Sequence, residues 1–492
     1  MESDNSRGAG PFKPLLSAGL LAGPPIVCLG LGLPHGGVVA IFLSIVGLWM
    51  TEAVPLAVTG LLVPVLAVMY GVLPAAQAFH SFGSDILFLF LGCFLLGRSM
   101  EKHGFDRRLA YIILSRCVPG NSFFGVNLII ALTAFLLSMW ISNTSATAIM
   151  VAITLGVLSS LTPQLGDEVT RQRAATRLLL TCAFAASIGG LTTPVGSPPN
   201  LIALRMLGER GISLSFLEWL MVGLPIGVVM LGGLLLVLAR CFPLRGLTFP
   251  GVKDEFRREL AILGPMNRGE RQVAIVFLVV ILLWVVPGLV GTLYPELPGV
   301  TAVNSRFSMA VVGLLGGLSL FFLPVRAGAE RRANIDWAES ERIDWGTIML
   351  FGGGLTLGVI LEQSGAAKDF GELLFGGGYG HPLVLGAVVV VVAILMSELA
   401  SNTAAAAILI PLLLGATIDN GGDPGTATSL VFAATFGASF GFMLPVSTPP
   451  NAIVYGTGQV AAGDMRRAGV WFDLLGALLL VGWLALTGAG RG

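Results

Sequence analysis

The chain has 492 residues, 55% of them hydrophobic and only 11% charged, with a mean hydropathy of +0.87; too little polar surface remains for a soluble globular protein of this length. Its 28 basic and 28 acidic residues cancel, which excludes a strongly basic nucleic-acid binder, and five scattered cysteines with four isolated histidines exclude a zinc or haem cluster. The composition is that of a polytopic membrane protein embedded in a lipid bilayer.

Residues 1–13 read as a polar cytoplasmic tail without the features of a cleaved signal. Apolar runs long enough to cross a core of about 30 Å predict helices near 14–33, 37–52, 55–73 and 84–101, and again near 178–204, 219–240, 272–293, 306–325, 344–362, 428–456 and 470–489. Between these lie two more apolar segments, 123–160 and 383–416. Each carries the same polar triplet in its middle, Ser142-Asn143-Thr144 in the first and Ser401-Asn402-Thr403 in the second. We read them as re-entrant helical hairpins, because an uncharged tip favours a buried turn. The arm Phe123–Ile141 is long enough, at about 1.5 Å per residue, for a full crossing, so paired spans also satisfy the length.

Each triplet is followed by a matching breaker: Thr193-Pro194-Val195-Gly196-Ser197-Pro198-Pro199-Asn200 and Leu444-Pro445-Val446-Ser447-Thr448-Pro449-Pro450-Asn451. Broken, polar backbone is tolerated at membrane depth only where protein buries it or where it lines a cavity. The four segments therefore predict one binding site near the bilayer midplane. With the N-terminus in the cytoplasm, 23 of the 28 basic residues fall on the inner side, which supports that orientation.

The halves also align elsewhere. Gly92, Gly97, Glu101 and Gly104 match Gly353, Gly358, Glu362 and Gly365 at a constant offset of 261, the triplets at 259 and the breakers at 251. Near-constant spacing marks an internal repeat. The first hairpin begins inside and the second outside, so the repeats are inverted and their shared site lies where they face each other.

Ser, Thr and Asn cap helix starts, and a capped helix start is also an anion site. The proline breaks free carbonyls on one side and N–H groups on the other. No Lys or Arg lies in either hairpin core or either break, so a bound anion depends on hydroxyls, amides and helix ends. Co-bound cations supply the missing charge, and the oxygen-rich surroundings suit hard ions such as sodium. Glu398, the one acid in a hairpin core, stands where the first half has Met139. It reads equally as a functional acid or as a hydrogen-bonding partner of its hairpin.

At these residues the chain resembles the divalent anion/sodium symporter family, bacterial dicarboxylate transporter type, from about Trp49 to the last helix. Thr51-Glu52-Ala53-Val54-Pro55, Met100-Glu101-Lys102 and Phe351-Gly352-Gly353-Gly354 are also similar to family sequence. The resemblance implies an all-α elevator-type transporter, with about 11 transmembrane helices and two re-entrant hairpins in an inverted repeat, working as a homodimer. On that division 1–13 is the tail, 14–120 and 272–382 form the scaffold, 121–242 and 383–492 form the transport domain, and 243–271 is a cytoplasmic linker.

By motif position, the resemblance implies that Ser142, Asn143, Thr144, Ser401, Asn402 and Thr403 face the substrate carboxylates, with Ser197, Pro198, Thr448 and Pro449 completing the pocket. It implies one sodium site at Ser138, Asn143 and Gly196, and another at Ser397, Asn402 and Ser447. The expected function is sodium-coupled import of a C4-dicarboxylate such as succinate, malate or fumarate across the inner membrane of a bacterial-type cell. Citrate, sulfate and exchange are close variants, and a proton-coupled carrier is an alternative for which only Glu398 is a titratable candidate. An enzyme or receptor is not expected, because the longest polar loops, 241–271 and 326–343, are too short to fold alone.

Overall fold

The computed structural model describes residues 12–161, 167–244, 246–294, 306–327, 330–369, 382–418 and 421–487. Residues 1–11 of the expected tail, His381, Asp419 and the last two residues of the expected final helix lie outside them. The described chain is mostly helical. Helices α1 (Phe12–Gly30), α2 (Gly36–Thr51), α3 (Leu56–Met69), the short α4 (Ala75–Ala78), α5 (Asp85–His103) and α6 (Phe105–Cys117) lead into the first polar hairpin, α7 (Phe123–Ser138) and α8 (Asn143–Leu161). Then follow α9 (Glu168–Leu191), α10 (Pro198–Glu209), α11 (Phe216–Cys241), α12 (Val252–Ile262), α13 (Arg268–Leu293) and α14 (Met309–Ser319).

A two-stranded antiparallel ribbon pairs β1 (Pro324–Ala327) with β2 (Glu330–Ala333). After it come the short α15 (Trp337–Ser340), α16 (Trp345–Gln363), the second polar hairpin α17 (Pro382–Leu399) and α18 (Asn402–Thr417), then α19 (Pro424–Gly437), α20 (Pro449–Gly456) and α21 (Ala462–Leu486). Seven helices among the described residues, α1, α9, α11, α13, α16, α17 and α21, are long and apolar enough to cross a bilayer. The protein is a multi-pass membrane protein.

The expected breaks do interrupt the runs 178–204 and 428–456: α9 stops at Leu191 and α10 starts at Pro198, and α19 stops at Gly437 and α20 starts at Pro449. Proline lacks an N–H, so Pro198-Pro199 and Pro449-Pro450 fit only the first turn of a new helix. The chain is, however, not purely helical, and segments read as loops hold structure. Residues 105–117 and 252–262 are helices, the second strongly amphipathic with Val252 and Phe256 buried, because a run such as KDEFRREL puts its few apolar residues on one face.

Side-chain caps set many helix starts. Ser215 and Glu218 form a reciprocal capping box on α11, and Asp167, Asn267, Asp344 and Asp423 each accept a backbone N–H of their own helix. Donation from Thr170 and from Thr426 holds the Asp167 and Asp423 carboxyls below their ordinary range.

Helix α9 lies at the centre, with every residue from Ala174 to Leu191 buried, whereas α13 exposes Ile275, Leu278, Leu282, Val286 and Leu289 at the periphery. The halves exchange partners. Break helix α10 packs on α18 and α19, while break helix α20 packs on α8 and α9. Further out, α5 packs on α14 and α3 on α16. Both crossings are backbone-close: a Cβ at Gly92 would collide with the Gly313 backbone, and one at Gly353 with the Gly60 backbone.

Candidate functional site: two hairpin tips facing two helix breaks

Each hairpin turns within a few residues and is locked by one side-chain bond across its tip. Ser138 Oγ donates to Asn143 Oδ1 at 2.6 Å, and Ser397 Oγ donates to Asn402 Oδ1 at 2.8 Å. The hydroxyls that end α7 and α17 are thus tied to the asparagines that begin α8 and α18.

The breaks are held by the asparagine after each proline pair. Asn200 Nδ2 donates to the carbonyls of Gly190 and Thr193 at 2.9 and 2.7 Å, and Asn451 Nδ2 to those of Gly441 and Leu444 at 2.8 and 3.0 Å. Buried carbonyls released by a broken helix need donors, and the Pro-Pro-Asn sequence carries its own. A freed carbonyl at Leu191 takes the Trp219 indole N–H at 3.1 Å.

Tips and breaks are then joined. Thr193 Oγ1 donates to the Met139 carbonyl at 2.6 Å, and Ser447 Oγ donates to the Glu398 carbonyl at 2.9 Å. Both bonds reach the same carbonyl of their tips, though the donors stand at different positions of the breaks. In the first half the fit is tight enough that Gly190 admits no side chain, since a Cβ there would fall on Asn143 Oδ1. A Cβ at Gly196 would be 2.5 Å from the Gly190 carbonyl oxygen.

All four segments line one cavity of about 1050 Å³. Its wall includes Ser142, Asn143, Thr144, Ser197 and Pro198 from the first half, and Ser401, Asn402, Thr403, Thr448 and Pro449 from the second, so every residue expected to face substrate meets there. Of the residues expected to hold sodium, Gly196 and Ser447 also line it, while Ser138 and Ser397 sit fully buried behind the asparagines they bond. The first tip thus offers the Ser138 and Asn143 oxygens beside the backbone of Gly190 and Gly196, and the second offers those of Ser397 and Asn402. Both are hard oxygen sets of the kind alkali cations take.

The hydroxyls are not all equally free. Ser142 Oγ accepts the Ser145 N–H at 3.2 Å and so caps α8, and Thr448 Oγ1 accepts the Asn451 N–H at 3.3 Å and caps α20. Ser401 and Ser197 make no side-chain cap at the starts of α18 and α10. Two helix starts therefore meet the cavity with serine hydroxyls that make no cap; α18 also brings the N–H groups of its first turn, whereas α10 opens with Pro198-Pro199, which carry none, and the Asn200 N–H bonds the Ser197 carbonyl. Free hydroxyls and helix starts are an anion-binding arrangement.

Sequence reasoning missed the mouth of the cavity. Glu52, Glu101, Asp106 and Asp344 line it together with Arg98 and Arg342, the two basic residues of the wall among those described. Arg98 is committed to Glu339 and Glu101 at 2.7 and 2.8 Å. Burial pushes the Asp106 carboxyl up to about 6, against the Arg107 N–H that it accepts. Glu52 sits in the left-handed region at φ 45°, where it ends α2. These groups come from helix ends far apart in the chain, so no local spacing announces them. Trp140 was also missed: it stacks on Phe216 at 5.9 Å and meets Phe277 edge-on at 5.5 Å, anchoring the first tip to α11 and α13.

Comparison with known proteins gives the family of the chain. Residues 28–488 match the sodium:sulfate symporter transmembrane region. The chain is 32% identical over 484 residues to the sodium-dependent dicarboxylate transporter SdcS of Staphylococcus aureus strain USA300, covering 96% of this chain and 91% of that protein, and the strain NCTC 8325 protein gives the same figures. Among solved structures it is similar to the Alcanivorax borkumensis YdaH transporter, with a TM-score of 0.50 and 15% identity over 83% of this chain and 86% of that one, a likeness of fold alone. Because the family match runs through both hairpins and both breaks, the chain belongs to the sodium:sulfate symporter family, the divalent anion/sodium symporters, whose members matched here are transporters and not enzymes.

Proposed function

We propose that this protein is a sodium-coupled symporter of C4-dicarboxylates such as succinate, malate and fumarate, working across the cytoplasmic membrane. The observation that carries the reading is the single cavity formed by two triplets and two breaks, whose basic residues, among those described, lie on the last turns of α5 and just before α16. Without a basic side chain at the tips, a dianion there is held by hydroxyls and helix N-termini, and bound cations offset the rest of its charge. Sodium enters as co-substrate at the Ser138/Asn143 and Ser397/Asn402 oxygens. The sodium-dependent dicarboxylate transporter of S. aureus, which aligns along nearly the whole chain, supports that choice of ions and substrate.

The partner exchange between α10 and α18 and between α20 and α8 supports an inverted repeat in which each half completes the other's site. The division 14–120 and 272–382 as scaffold, with 121–242 and 383–492 as moving body, fits the small-residue seam between them. Gly354 of α16 meets Ala407 of α18, and Gly358 meets Met206 and Pro411, a smooth face along which helices can slide. With the N-terminus cytoplasmic, a mouth lined by Arg98, Glu101, Asp106 and Arg342 faces inward. We further propose eleven crossings with two re-entrant hairpins, and a homodimer.

Uptake of labelled succinate into proteoliposomes tests this. An inward sodium gradient is expected to drive accumulation, with malate and fumarate competing. Uptake indifferent to sodium, or competed by sulfate or citrate but by no C4-dicarboxylate, overturns it.

A further inference from the structure

The second half holds a pair of buried carboxyl groups that the cycle proposed above does not use. Glu398 follows Ser397 near the end of α17, and its carboxylate accepts three hydrogen bonds: from the Met443 N–H at 2.7 Å, the Leu444 N–H at 3.2 Å and the Ser447 hydroxyl at 2.6 Å. Asp473 on α21 faces Glu398. It is only 4% exposed, and neither of its oxygens has a hydrogen-bond partner.

Among the described residues no Lys, Arg or His pairs with either acid. Close packing forces the encounter. Gly469, one turn before Asp473, lets α21 lie directly on the backbone of Phe442 and Met443, where a Cβ would collide with the Phe442 carbonyl. Two buried acid groups facing each other, one of them without a donor and with no basic residue beside them, form an arrangement that a positive charge between them would relieve.

The first half has the same backbone without the acids. Gly223 of α11 packs on Leu191 and Thr192 as Gly469 packs on Phe442 and Met443. Four residues further on stands Gly227, where α21 has Asp473, and Met139 stands where α17 has Glu398. The pair is therefore an addition to one half only, and the common fold does not need it.

We propose that Glu398 and Asp473, with carbonyl oxygens of the Phe442–Leu444 turn, form a further sodium site distinct from the two at the triplet asparagines. Two carboxylates and a few carbonyls fall short of the roughly six to eight oxygens that calcium takes, and they suit a monovalent ion. The site touches the pocket through one residue. Ser447 lines the cavity and its one hydroxyl proton is shared between the carboxylate and the carbonyl of Glu398, so a cation held at the pair fixes the turn that leads to Thr448 and Pro449. Its role in coupling rests on the symport reading, whereas the binding itself does not.

The test uses purified protein and proteoliposomes with Asp473→Asn, whose amide can donate to Glu398 in place of the cation. In choline buffer without sodium this variant is expected to melt at a higher temperature than the wild type, and its sodium-induced rise in melting temperature is expected to shrink. In proteoliposomes the coupling ratio, read from the sodium gradient at which net succinate flux stops, is expected to fall by one sodium. Glu398→Gln gives the same readouts from the other side of the pair if the first variant does not fold. An unchanged sodium response and unchanged ratio overturn the site, as does a variant that loses only a pH dependence, for then the pair carries a proton. If wild-type transport ignores sodium while its melting temperature responds to sodium through Asp473, the site stands and the symport reading falls.

Discussion

The two hairpin-and-break units share one skeleton and differ in what covers it. Serine-to-asparagine locks, asparagine staples across the breaks and hydroxyl bonds from break to tip recur in both. The first tip is clamped: Trp140 stacks on Phe216, Gly190 presses on Asn143, and Ser142 caps its helix. The second tip is more open. Leu399 stands in the place of Trp140 and is 64% exposed, and Ser401 caps nothing. Backbone hydrogen bonding dictates the shared skeleton, because every buried carbonyl must find a donor. The differences are free to serve ligands.

Equivalent substitutions in the two halves should therefore give unequal results. The largest contrast is expected for Gly190→Ala against Gly441→Ala. The new Cβ at 190 collides with an asparagine oxygen that Ser138 already pins, whereas at 441 its nearest neighbours are the Ser397 hydroxyl and a Thr448 methyl, both 3.2 Å away. Overpacking of the first kind costs on the order of 3 kcal/mol and should abolish succinate uptake, while the second costs about 1 kcal/mol or less. Thermal unfolding and uptake measured on both variants check this, and equal losses would remove the claimed asymmetry.

A smaller contrast is expected at the triplet serines. Ser142→Ala removes a helix cap and should lower stability by about 1 kcal/mol. Ser401→Ala removes a hydroxyl that caps nothing, so it should leave the melting temperature in place and raise the succinate concentration for half-maximal uptake by about tenfold, the worth of one hydrogen bond to a charged group. Should Ser142→Ala weaken succinate uptake more than Ser401→Ala, the assignment of free and committed hydroxyls is reversed.

A third contrast is expected at the mouth, where Asp106 has Ala367 as its counterpart at the offset of 261. Burial raises the Asp106 carboxyl from its ordinary value near 3.8 to about 6, so its contribution to stability is fully present below the lower value and lost as pH rises through the upper one. The span corresponds to at most about 3 kcal/mol. Wild-type protein should gain thermal stability on acidification from pH 7 to 5, and Asp106→Asn should flatten that part of the profile.

Much of this was legible before the fold. Ser-Asn-Thr and Pro-Pro-Asn are local signals, because a polar tip and a double proline each dictate what their own few residues can do in lipid, and their repetition announced a shared site. The ten pocket residues from these motifs do meet in one cavity. Asn200 and Asn451 were recognised as part of the breaks, but their work as staples depends on which carbonyls lie seven and ten residues back, and helix geometry alone decides that.

Composition and spacing determined the membrane class and which segments turn and break, since hydropathy and proline chemistry act within a single turn or span. Packing between distant helices decided the rest: which serines remain uncapped, why Gly190 tolerates no side chain, how Asp106 becomes buried and why Asp473 comes to rest against Glu398. Those outcomes depend on backbones separated by tens to hundreds of residues approaching within contact distance, and no periodicity along the chain records such an approach.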